Sequence, residues 1–232
     1  MCTLTYIPIP GLGKIVTANR DESPLRNARK LSKHISSRNE AFFIAKEPLK
    51  GGTNIAISPE NRISVLLNGA FEAHKMGGIY SKSRGLLLLE TLNFSDVFEF
   101  AMKTSLIGVE PFTLIDFQKS IREVRWDGNS VHERIYSVNQ PHIWASAQLY
   151  SKENRLKRRT WFSDLLESNP DQDSILNFHF RGGDGDPEND LVMNRKDLVQ
   201  TVSITQIVEM EDQSMIKHFD LVENTEQTIR NP

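Results

Sequence analysis

The chain contains a single cysteine among its 232 residues, and this scarcity narrows the classes of protein to which it can belong. An internal disulfide needs two cysteines, and a zinc site of the cysteine type also needs more than one, so both are excluded. The most apolar run, near GLLLLETL, is far shorter than the roughly 20 residues that span a bilayer. No charged segment followed by an apolar stretch marks a secretion signal, so the cytoplasm is the expected compartment.

The chain also lacks a strong excess of charge of either sign. It has 28 basic and 30 acidic residues, which gives a formal net charge of -2 at pH 7. Proteins whose main partner is nucleic acid or an anionic membrane carry a clear excess of positive charge, and this chain has none. The expected partner is therefore a small molecule or another protein, with no nucleic acid and no membrane span.

Sequence patterns for metal ions and nucleotide cofactors are missing as well. The six histidines show no His-Glu-x-x-His or other close ligand spacing. The acidic segment GGDGDPEND is similar to a calcium loop, but Asn189 stands where an EF-hand needs glycine and Arg195 where it needs glutamate. Neither a Walker sequence nor the glycine spacing of a dinucleotide fingerprint occurs. The sequence therefore predicts no metal site and no cofactor.

Strand-forming and helix-forming runs follow one another along the chain. The predicted strands are CTLTYIP, KIVTANR, AFFIAKE, TNIAIS, RISVLLN, FTLIDF, IREVRW, SVHERIY, HIWASAQLY, LVQTVSITQIVEM and MIKHFDLV. The predicted helices are RGLLLLETL with Ser83 as N-cap, NFSDVFEFAMK with a cap at Ser95, NRLKRRTWFSDLLES and DSILNFHF. No linker or internal repeat interrupts these runs, so a single α+β domain is expected over residues 1–232, with residues 223–232 as a frayed tail.

The first two predicted strands are joined by PGLG, which indicates a β-hairpin. If Cys2 lies opposite Asp21, then Leu4 faces Asn19, because facing residues of an antiparallel pair share one side of the sheet. Arg20 would then point to the other side. A slip of one residue exchanges Arg20 for Asp21, so this arrangement depends on the register.

The cysteine lies at position 2, where removal of Met1 would make it the N-terminal residue. A thiol with a pKa of about 8.5 is a weak nucleophile at neutral pH unless a base stands beside it. The α-amine of an N-terminal residue has a pKa of about 7.7–8.0 and can serve as that base. Cys2 is therefore a candidate N-terminal nucleophile. The alternative is a small buried residue that packs at the start of a strand.

Four short motifs near the start of the chain resemble those of one known family. They are MC at the first two positions, ANRDE at Ala18–Glu22, GGT at Gly51–Thr53 and SRG at Ser83–Gly85. With these motifs in this order, the chain resembles the NRDE-domain family, also called the transport and Golgi organisation protein 2 family. The resemblance implies a four-layer αββα sandwich of the N-terminal nucleophile (Ntn) hydrolase type. It also implies kinship with cysteine amidases such as penicillin V acylase and bile salt hydrolase.

The resemblance assigns roles to the first residues. Cys2 would be the nucleophile, and Asp21 would hold the freed α-amine by a charge-assisted hydrogen bond. Asn19 matches a catalytic asparagine of the amidases. In those enzymes an active-site arginine precedes the asparagine, whereas this chain has Ala18 there and carries its guanidinium at Arg20. Arg20 is a predicted substrate contact, with pairing to neighbouring residues as the alternative.

An acyl-transfer site also needs donors aimed at the oxyanion of the transition state. Asn68, at the end of the predicted strand RISVLLN, resembles the asparagine that the amidases use for this purpose. The alternative is that Asn68-Gly69 is only a type I′ turn. The relatives have a Ser-Asn pair in a later strand, where this chain has Ser146 followed by Ala147. Either Ser146 replaces the second donor, a backbone N–H does so, or the chemistry has changed.

Arg84, in the SRG motif, is a further predicted substrate contact, and its alternative is an ion pair that anchors the helix to the sheet. Together these residues predict a cysteine amidohydrolase that acts on an acyl amide or thioester. The resemblance supports a rival function, a non-catalytic carrier for a hydrophobic ligand such as haem or an acyl-coenzyme A, because a catalytic pocket can be reused for binding.

Overall fold

A computed structural model describes residues 3–9, 11, 13–28, 30–59, 62–75, 80, 82–210 and 214–231. The chain divides into two compact units. The first comprises Met1–Lys30, Asn139–Ala145 and Tyr150–Pro232, and the second comprises Leu31–Val138 and Ser146–Leu149. The expected single domain over residues 1–232 stays a prediction.

Two antiparallel sheets and four α-helices make up these units. The strands are β1 (Thr3–Ile9), β2 (Gly13–Glu22), β3 (Ser32–Ile35), β4 (Ala41–Ile44), β5 (Ile55–Ile57), β6 (Ile63–Asn68), β7 (Phe112–Phe117), β8 (Ile121–Trp126), β9 (Val131–Tyr136), β10 (His142–Ala145), β11 (Asn194–Arg195), β12 (Val199–Met210), β13 (Ser214–Asp220) and β14 (Thr225–Arg230). The helices are α1 (Arg84–Thr91), α2 (Val97–Lys103), α3 (Lys152–Glu167) and α4 (Gln172–Arg181), with a 3-10 turn at Pro24–Arg26. Among the described residues, none of the helices is both long and apolar enough to cross a membrane.

The first unit packs α3 and α4 against a sheet with the order β10-β1-β2-β12-β13-β14, and β11 pairs with β12. Ile7 and Ile15 lie opposite each other in β1 and β2, and both pack against the helices. Because side chains alternate along a strand, the odd-numbered residues of β1 and β2 face the helices. The apolar part of this core is formed by Ile7, Ile15, Phe162, Ile175, Phe178, Leu191 and Val208.

The second unit packs α1 and α2 against a sheet with the order β3-β4-β5-β6-β7-β8-β9. Its main core is formed by Leu66, Leu87, Leu88, Val97, Phe100, Leu106, Val109, Phe112, Leu114, Val124 and Trp126. Asp116 on β7 ties the helices to the sheet, because its buried carboxylate pairs with Arg62 at 3.0 Å and accepts the backbone N–H of Val97 at 3.1 Å. Arg62 in turn donates to the carbonyl of Phe94, just before α2, at 2.6 Å.

The N-cap of α2 corrects one sequence prediction. The sequence predicts Ser95, but the cap is Asp96, whose carboxylate accepts the backbone N–H groups of Phe98 and Glu99. Ser95 instead donates its hydroxyl to Glu99 at 2.5 Å. The aspartate satisfies two of the open N–H groups of the first turn, which explains why it takes the cap.

The register of β1 and β2 differs by one residue from the expected one. Thr3 lies opposite Asn19, and Leu4 lies opposite Ala18 rather than Asn19. The hairpin closes at the pair Ile9 and Gly13, so its loop holds three residues instead of two. The expected partner of Asp21, Cys2, lies outside the described residues.

The prediction for the C-terminal segment is also wrong. The sequence predicts fraying over residues 223–232, but Thr225–Arg230 forms β14 and pairs with β13 along its whole length. Ile229 lies opposite Ile216, which is fully buried. Six consecutive backbone pairs, continuous with the rest of the sheet, hold this segment as an edge strand. The short strands β3 and β11 were not predicted.

The GGT and SRG motifs meet in the second unit. The backbone N–H of Thr53 donates to the carbonyl oxygen of Gly85, in the first turn of α1, at 3.1 Å. A Cβ on Gly52 would lie 2.8 Å from the carbonyl carbon and 2.9 Å from the Cα of Gly85. The two motifs therefore form a close crossing of two backbones, at which side chains do not fit.

We predict that Gly52→Ala destabilises the protein by about 1–3 kcal/mol, the usual cost of forcing extra atoms into a packed site. Chemical denaturation measures the change. Lys50→Ala, an exposed substitution in the same loop, is the matched control and is expected to stay within about 0.5 kcal/mol of wild type. If the Gly52→Ala protein is as stable as the control, the two backbones do not cross as closely as described.

Candidate functional site

A band of polar side chains lies on the helix side of β1 and β2, next to the apolar core of the first unit. Its members are Thr3, Thr5, Asn19 and Asp21, all at odd-numbered positions and all buried. Burying polar groups costs free energy unless they are hydrogen-bonded. Each of the four is hydrogen-bonded to another part of the first unit, and two of them, Asn19 and Asp21, are predicted site residues.

Both oxygens of the Asp21 carboxylate accept short hydrogen bonds within the polar band. Tyr150 donates its hydroxyl to Oδ2 at 2.6 Å, and Thr201 donates its hydroxyl to Oδ1 at 2.6 Å. Short hydrogen bonds to an ionised group are the strong ones. Both oxygens are therefore fixed, on a strand that pairs with β1, whose first residue Thr3 follows Cys2 in the chain.

A β-bulge in β12 makes this arrangement possible. Thr201 lies opposite Asp21, whereas Ser203 lies opposite Arg20, so Val202 is an extra residue in β12. Without it, Thr201 and Ser203 would point to the same face of the sheet. With the bulge, Thr201 reaches Asp21 on the helix side while Ser203 faces away. Bulges next to active sites commonly re-aim one side chain in this way.

Arg158 of α3 is a fully buried cation in the polar band. Its guanidinium donates to the hydroxyl of Thr3 at 2.8 Å and to the backbone carbonyls of Asn189 and Asp190 at 2.8 and 2.9 Å. It also stacks over the ring of Tyr150, 3.8 Å from the ring centre. Arg158 thus connects the start of β1 to the tyrosine that donates to the carboxylate.

Asn19 is fully engaged by the protein itself. Its amide nitrogen donates to the backbone carbonyls of His179 and Leu191 at 3.0 and 2.7 Å. Its carbonyl oxygen lies 2.5 Å from Nδ1 of His179, and a carbonyl only accepts, so Nδ1 carries the proton. Nε2 then accepts the hydroxyl of Thr5 at 2.7 Å. Asn19 therefore clamps β2 to α4, and the geometry leaves it no free donor for a substrate.

Burial, with a smaller contribution from the positive charge of Arg158, lowers the pKa of His179 from 6.5 to about 3. The imidazole is therefore neutral at physiological pH. This agrees with its hydrogen bonds, since one ring nitrogen donates and the other accepts.

Arg20 lies on the face of β2 opposite to the polar band, because side chains alternate along the strand. It is 5% exposed. Burial lowers the pKa of His218 on β13, a hydrogen bond to the carbonyl of Ala28 opposes this shift, and the charge of Arg20 adds to it. The charge of Arg20 thus contributes to the lowered pKa of His218, a residue of the same unit.

In the second unit, Asn68 is the last residue of β6, and its backbone carbonyl accepts the hydroxyl of Ser146 at 2.7 Å. Gly69 follows with φ of +83°, and a Cβ there would lie 2.7 Å from the backbone nitrogen of Gln148. A type I′ turn needs positive φ at both central residues, and Asn68 does not have it. The segment is therefore a backbone crossing, not a hairpin turn.

The side chain of Asn68 differs from that of Asn19. It is half-buried, and it makes no hydrogen bond within the part of the chain that the structure describes. Ser146, in contrast, is fully buried and its hydroxyl is engaged by the carbonyl of Asn68 and by the N–H of Leu149. Of these three predicted site residues, Asn68 has the carboxamide that remains available to a ligand.

Arg84 stands at the start of α1 and pairs with Glu110 at 3.1 Å. It also donates to the backbone carbonyl of Pro111 at 3.1 Å. Glu110 contacts Nε2 of His74 at 3.4 Å through its other oxygen. These contacts fit the expected alternative, in which Arg84 anchors the helix. Within the described ranges, no group of three or more His, Cys, Asp or Glu side chains could hold a metal ion.

Comparison with protein families gives a match along most of the chain. A family model, that of Transport and Golgi organisation 2, matches residues 1–215. The chain belongs to this family. Among curated proteins, no sequence matches it significantly.

Solved structures with similar folds cover nearly the whole of this Transport and Golgi organisation 2 family member. The Caenorhabditis elegans orthologue of N-acylethanolamine-hydrolyzing acid amidase aligns with a TM-score of 0.59 at 14% identity, over 89% of this chain and 92% of that one. A variant of conjugated bile acid hydrolase from Clostridium perfringens aligns with a TM-score of 0.51 at 11% identity, over 98% and 92% of the two chains. A second variant of that hydrolase gives 0.51 at 9% identity, over 99% and 96%. The predicted α+β fold of the Ntn-hydrolase type is therefore confirmed.

Sequence reasoning missed several partners in the polar band of this family member, namely Tyr150, Arg158, His179 and Thr201. One signal for Arg158 was present, because it precedes Phe162 by four residues and so shares the apolar face of its helix. The other three come from distant parts of the chain, and no local pattern distinguishes them. The predicted nucleophile, Cys2, lies outside the described residues.

We predict that His179 makes the protein less stable in mild acid. Its pKa is lowered by folding, so protons bind preferentially to the unfolded chain, and stability is lost as the pH falls from 6.5 towards 3. The loss attributable to His179 is about 2 kcal/mol between pH 7 and pH 5. Chemical denaturation at the two pH values should show a weaker pH dependence for His179→Gln than for wild type.

The protonation state of His179 can also be measured directly in the wild type, which keeps the prediction testable if His179→Gln is too unstable for comparison. In ¹⁵N NMR spectra of the wild type, the His179 ring should remain neutral, with the proton on Nδ1, at pH 5. A ring that titrates near pH 6 in the folded protein would contradict the assignment.

Proposed function

We propose that the protein is a cysteine amidohydrolase of the N-terminal nucleophile type, acting on an acyl amide or thioester through Cys2 after removal of Met1. One observation carries the proposal: the carboxylate of Asp21 is buried and held at both oxygens, beside the strand that starts directly after Cys2. A carboxylate in this position suits an α-ammonium group, which it would hold by a charge-assisted hydrogen bond. The Ntn-hydrolase fold and the family membership support the same function.

The proposed reaction needs only groups of the chain itself and water. The α-amine of Cys2 takes the thiol proton, and the sulfur attacks the carbonyl carbon of the substrate. The tetrahedral intermediate collapses when the C–N or C–S bond breaks, and the α-ammonium group gives its proton to the leaving amine or thiol. Water, deprotonated by the α-amine, then attacks the thioester that remains on Cys2, and the acid is released with the thiol restored.

We assign Asn68 as the side-chain donor to the oxyanion, because its carboxamide is uncommitted to the rest of the described chain. Removing one such donor typically costs about 2.7–4 kcal/mol of transition-state stabilisation. Ser146 and Asn19 are engaged in internal hydrogen bonds, so we give them positioning roles. Arg20 and Arg84 remain proposed substrate contacts, for which the geometry offers the internal interactions described above as alternatives.

The rival function, a carrier for a hydrophobic ligand such as haem or an acyl-coenzyme A, has one observation in its favour. Of the two side chains expected at the oxyanion, Asn68 and Ser146, the hydroxyl of Ser146 is engaged in internal hydrogen bonds, and a binding protein needs no oxyanion donors at all. A small-molecule partner is common to both functions. We propose the cytoplasm as the compartment because the chain has a single cysteine and its sequence shows no secretion pattern.

The test begins with the intact mass of the protein purified from its native host, where we expect Met1 to be absent. Wild type, Cys2→Ser and Cys2→Ala are then compared on a panel of acyl amides and acyl thioesters. Wild type should turn over at least one substrate and form a covalent adduct with a thiol-directed acyl probe, whereas both variants should lose turnover by a factor of about 10³ or more.

Leu198→Ser, an exposed change in the same unit, serves as the control and should retain activity. Retention of Met1, or equal rates for wild type and Cys2→Ala on every substrate, would overturn the proposal. Stoichiometric ligand binding that survives Cys2→Ser, without turnover, would instead support the carrier.

A further prediction concerns the support of Asp21. Tyr150→Phe removes one of its two hydroxyl donors while keeping the ring that stacks on Arg158. Acylation of Cys2 by the probe should slow by about tenfold or more, and the free energy of unfolding should fall by about 1–3 kcal/mol. If Tyr150→Phe is destabilised but reacts at the wild-type rate, the tyrosine supports only the fold.

A further inference from the structure

A groove on the second unit lies between α2 and β9, with β8 as its floor. Its lining includes Phe98 and Met102 from α2, Arg122 from β8, and Val131 and Glu133 from β9. It opens widely to solvent and has a volume of about 660 Å³. All of its residues belong to the second unit, and none of them is among the predicted site residues.

The wall formed by β9 presents apolar side chains to solvent. Val131 and Glu133 lie opposite Trp126 and Val124, which pack against the helices, so the odd-numbered residues of β9 face the helix side. On this side Val131 is 39% exposed and Ile135 is 63% exposed. Met102, across the groove on α2, is 76% exposed. Apolar side chains that converge on a groove favour an interaction surface over chance exposure.

The backbone of β9 is also open. The strand is the last in its sheet, and within the described ranges it pairs only with β8. An edge strand presents unpaired N–H and C=O groups, onto which an extended segment can add as a further strand. Such a segment would place every second side chain on the helix side, next to Val131, Glu133 and Ile135.

The charged side chains of the groove indicate which charge a partner should carry. Asp96 pairs with Arg122, and Glu99 pairs with Lys103. The side chain of Glu133 makes no ion pair or hydrogen bond within the described part of the chain. The charge left over on the helix side of β9 is therefore negative, and a basic side chain directly opposite Glu133 would neutralise it.

Self-association through this edge is disfavoured by the sequence of β9. Two copies of β9 could pair antiparallel about a two-fold axis normal to the sheet. Such an axis keeps each side chain on its own face of the sheet, so odd-numbered residues pair with odd-numbered ones and even-numbered with even-numbered ones. The two registers with the fullest overlap are centred on Glu133 or on Arg134. They would place two carboxylates or two guanidinium groups directly opposite each other, which is destabilising.

We propose that β9 is a docking edge for an extended segment of another protein, in which a lysine or arginine is flanked, two residues away on each side, by apolar residues. The basic residue lies opposite Glu133, and the apolar residues lie opposite Val131 and Ile135 and contact the groove. This interaction is independent of the proposed hydrolase activity.

The test uses the full-length protein and a fluorescein-labelled β-hairpin peptide, whose outer strand reads Val-Thr-Lys-Thr-Val behind an Asn-Gly turn. A second hairpin carries glutamate in place of the lysine. In fluorescence anisotropy at low ionic strength, the lysine hairpin should bind about tenfold more tightly than the glutamate hairpin, and added salt should reduce this ratio. Glu133→Lys, an exposed substitution, should reverse the preference.

The matched control is Glu226→Lys, which makes the same change on the exposed edge strand β14 of the other sheet and should keep the wild-type preference. Equal binding of both hairpins, binding too weak to detect at millimolar concentration, or a preference that Glu133→Lys leaves unchanged would overturn the proposal. A dimer in sedimentation experiments that Glu133→Lys dissociates or strengthens would also overturn it, because the occupant would then be a second copy.

Discussion

The first unit depends on the burial of one carboxylate. Asp21 is withdrawn from water beneath the helices, and a carboxylate in that position is tolerable only if hydrogen bonds replace its hydration. Tyr150 and Thr201 supply them, and they come from segments that are 129 and 180 residues away along the chain. The bulge in β12 and the stacking of Arg158 on Tyr150 follow from the need to hold these donors in place.

The sheet of the first unit packs against its helices through two kinds of contact, the apolar core and the polar band. Ile7 and Ile15 continue the same face on which Thr3 and Asn19 lie, so one layer is apolar at one end and polar at the other. Buried polar networks specify geometry more sharply than apolar contacts, because each hydrogen bond has a direction. Such a network next to the start of the chain is consistent with a demand for accurate positioning there.

Much of the fold could be read from the sequence, because it follows from local patterns. The alternating runs gave the long strands, and the helical spacing gave α3 and α4 within a few residues. The register of β1 and β2 was wrong by one, since it depends on a loop length that the sequence PGLG leaves open. The strand at Thr225–Arg230 was missed because its stability comes from pairing with β13 rather than from its own residues.

The site was predictable only where a motif marked it. The NRDE stretch identified Asn19 and Asp21, but it could not distinguish an amide engaged by His179 from one free for a substrate. The roles of Asn68 and Ser146 differ for the same reason, since the hydroxyl of Ser146 is directed at a backbone carbonyl that only the folded chain brings near. Tyr150, His179 and Thr201 hold Asp21 and Asn19 in place, and none of the three is marked by a local pattern in the sequence.

The placement of β12 has a consequence for how the protein is made. The strand β2 pairs with β1, formed from the first residues, and with β12, formed from Val199–Met210 near the end of the chain. Nearly all of the second unit, Leu31–Val138, leaves the ribosome in one piece between them. The sheet of the first unit can therefore be completed only after β12 is translated, and the hydrogen bond from Thr201 to Asp21 forms after Leu31–Val138 has already been synthesised.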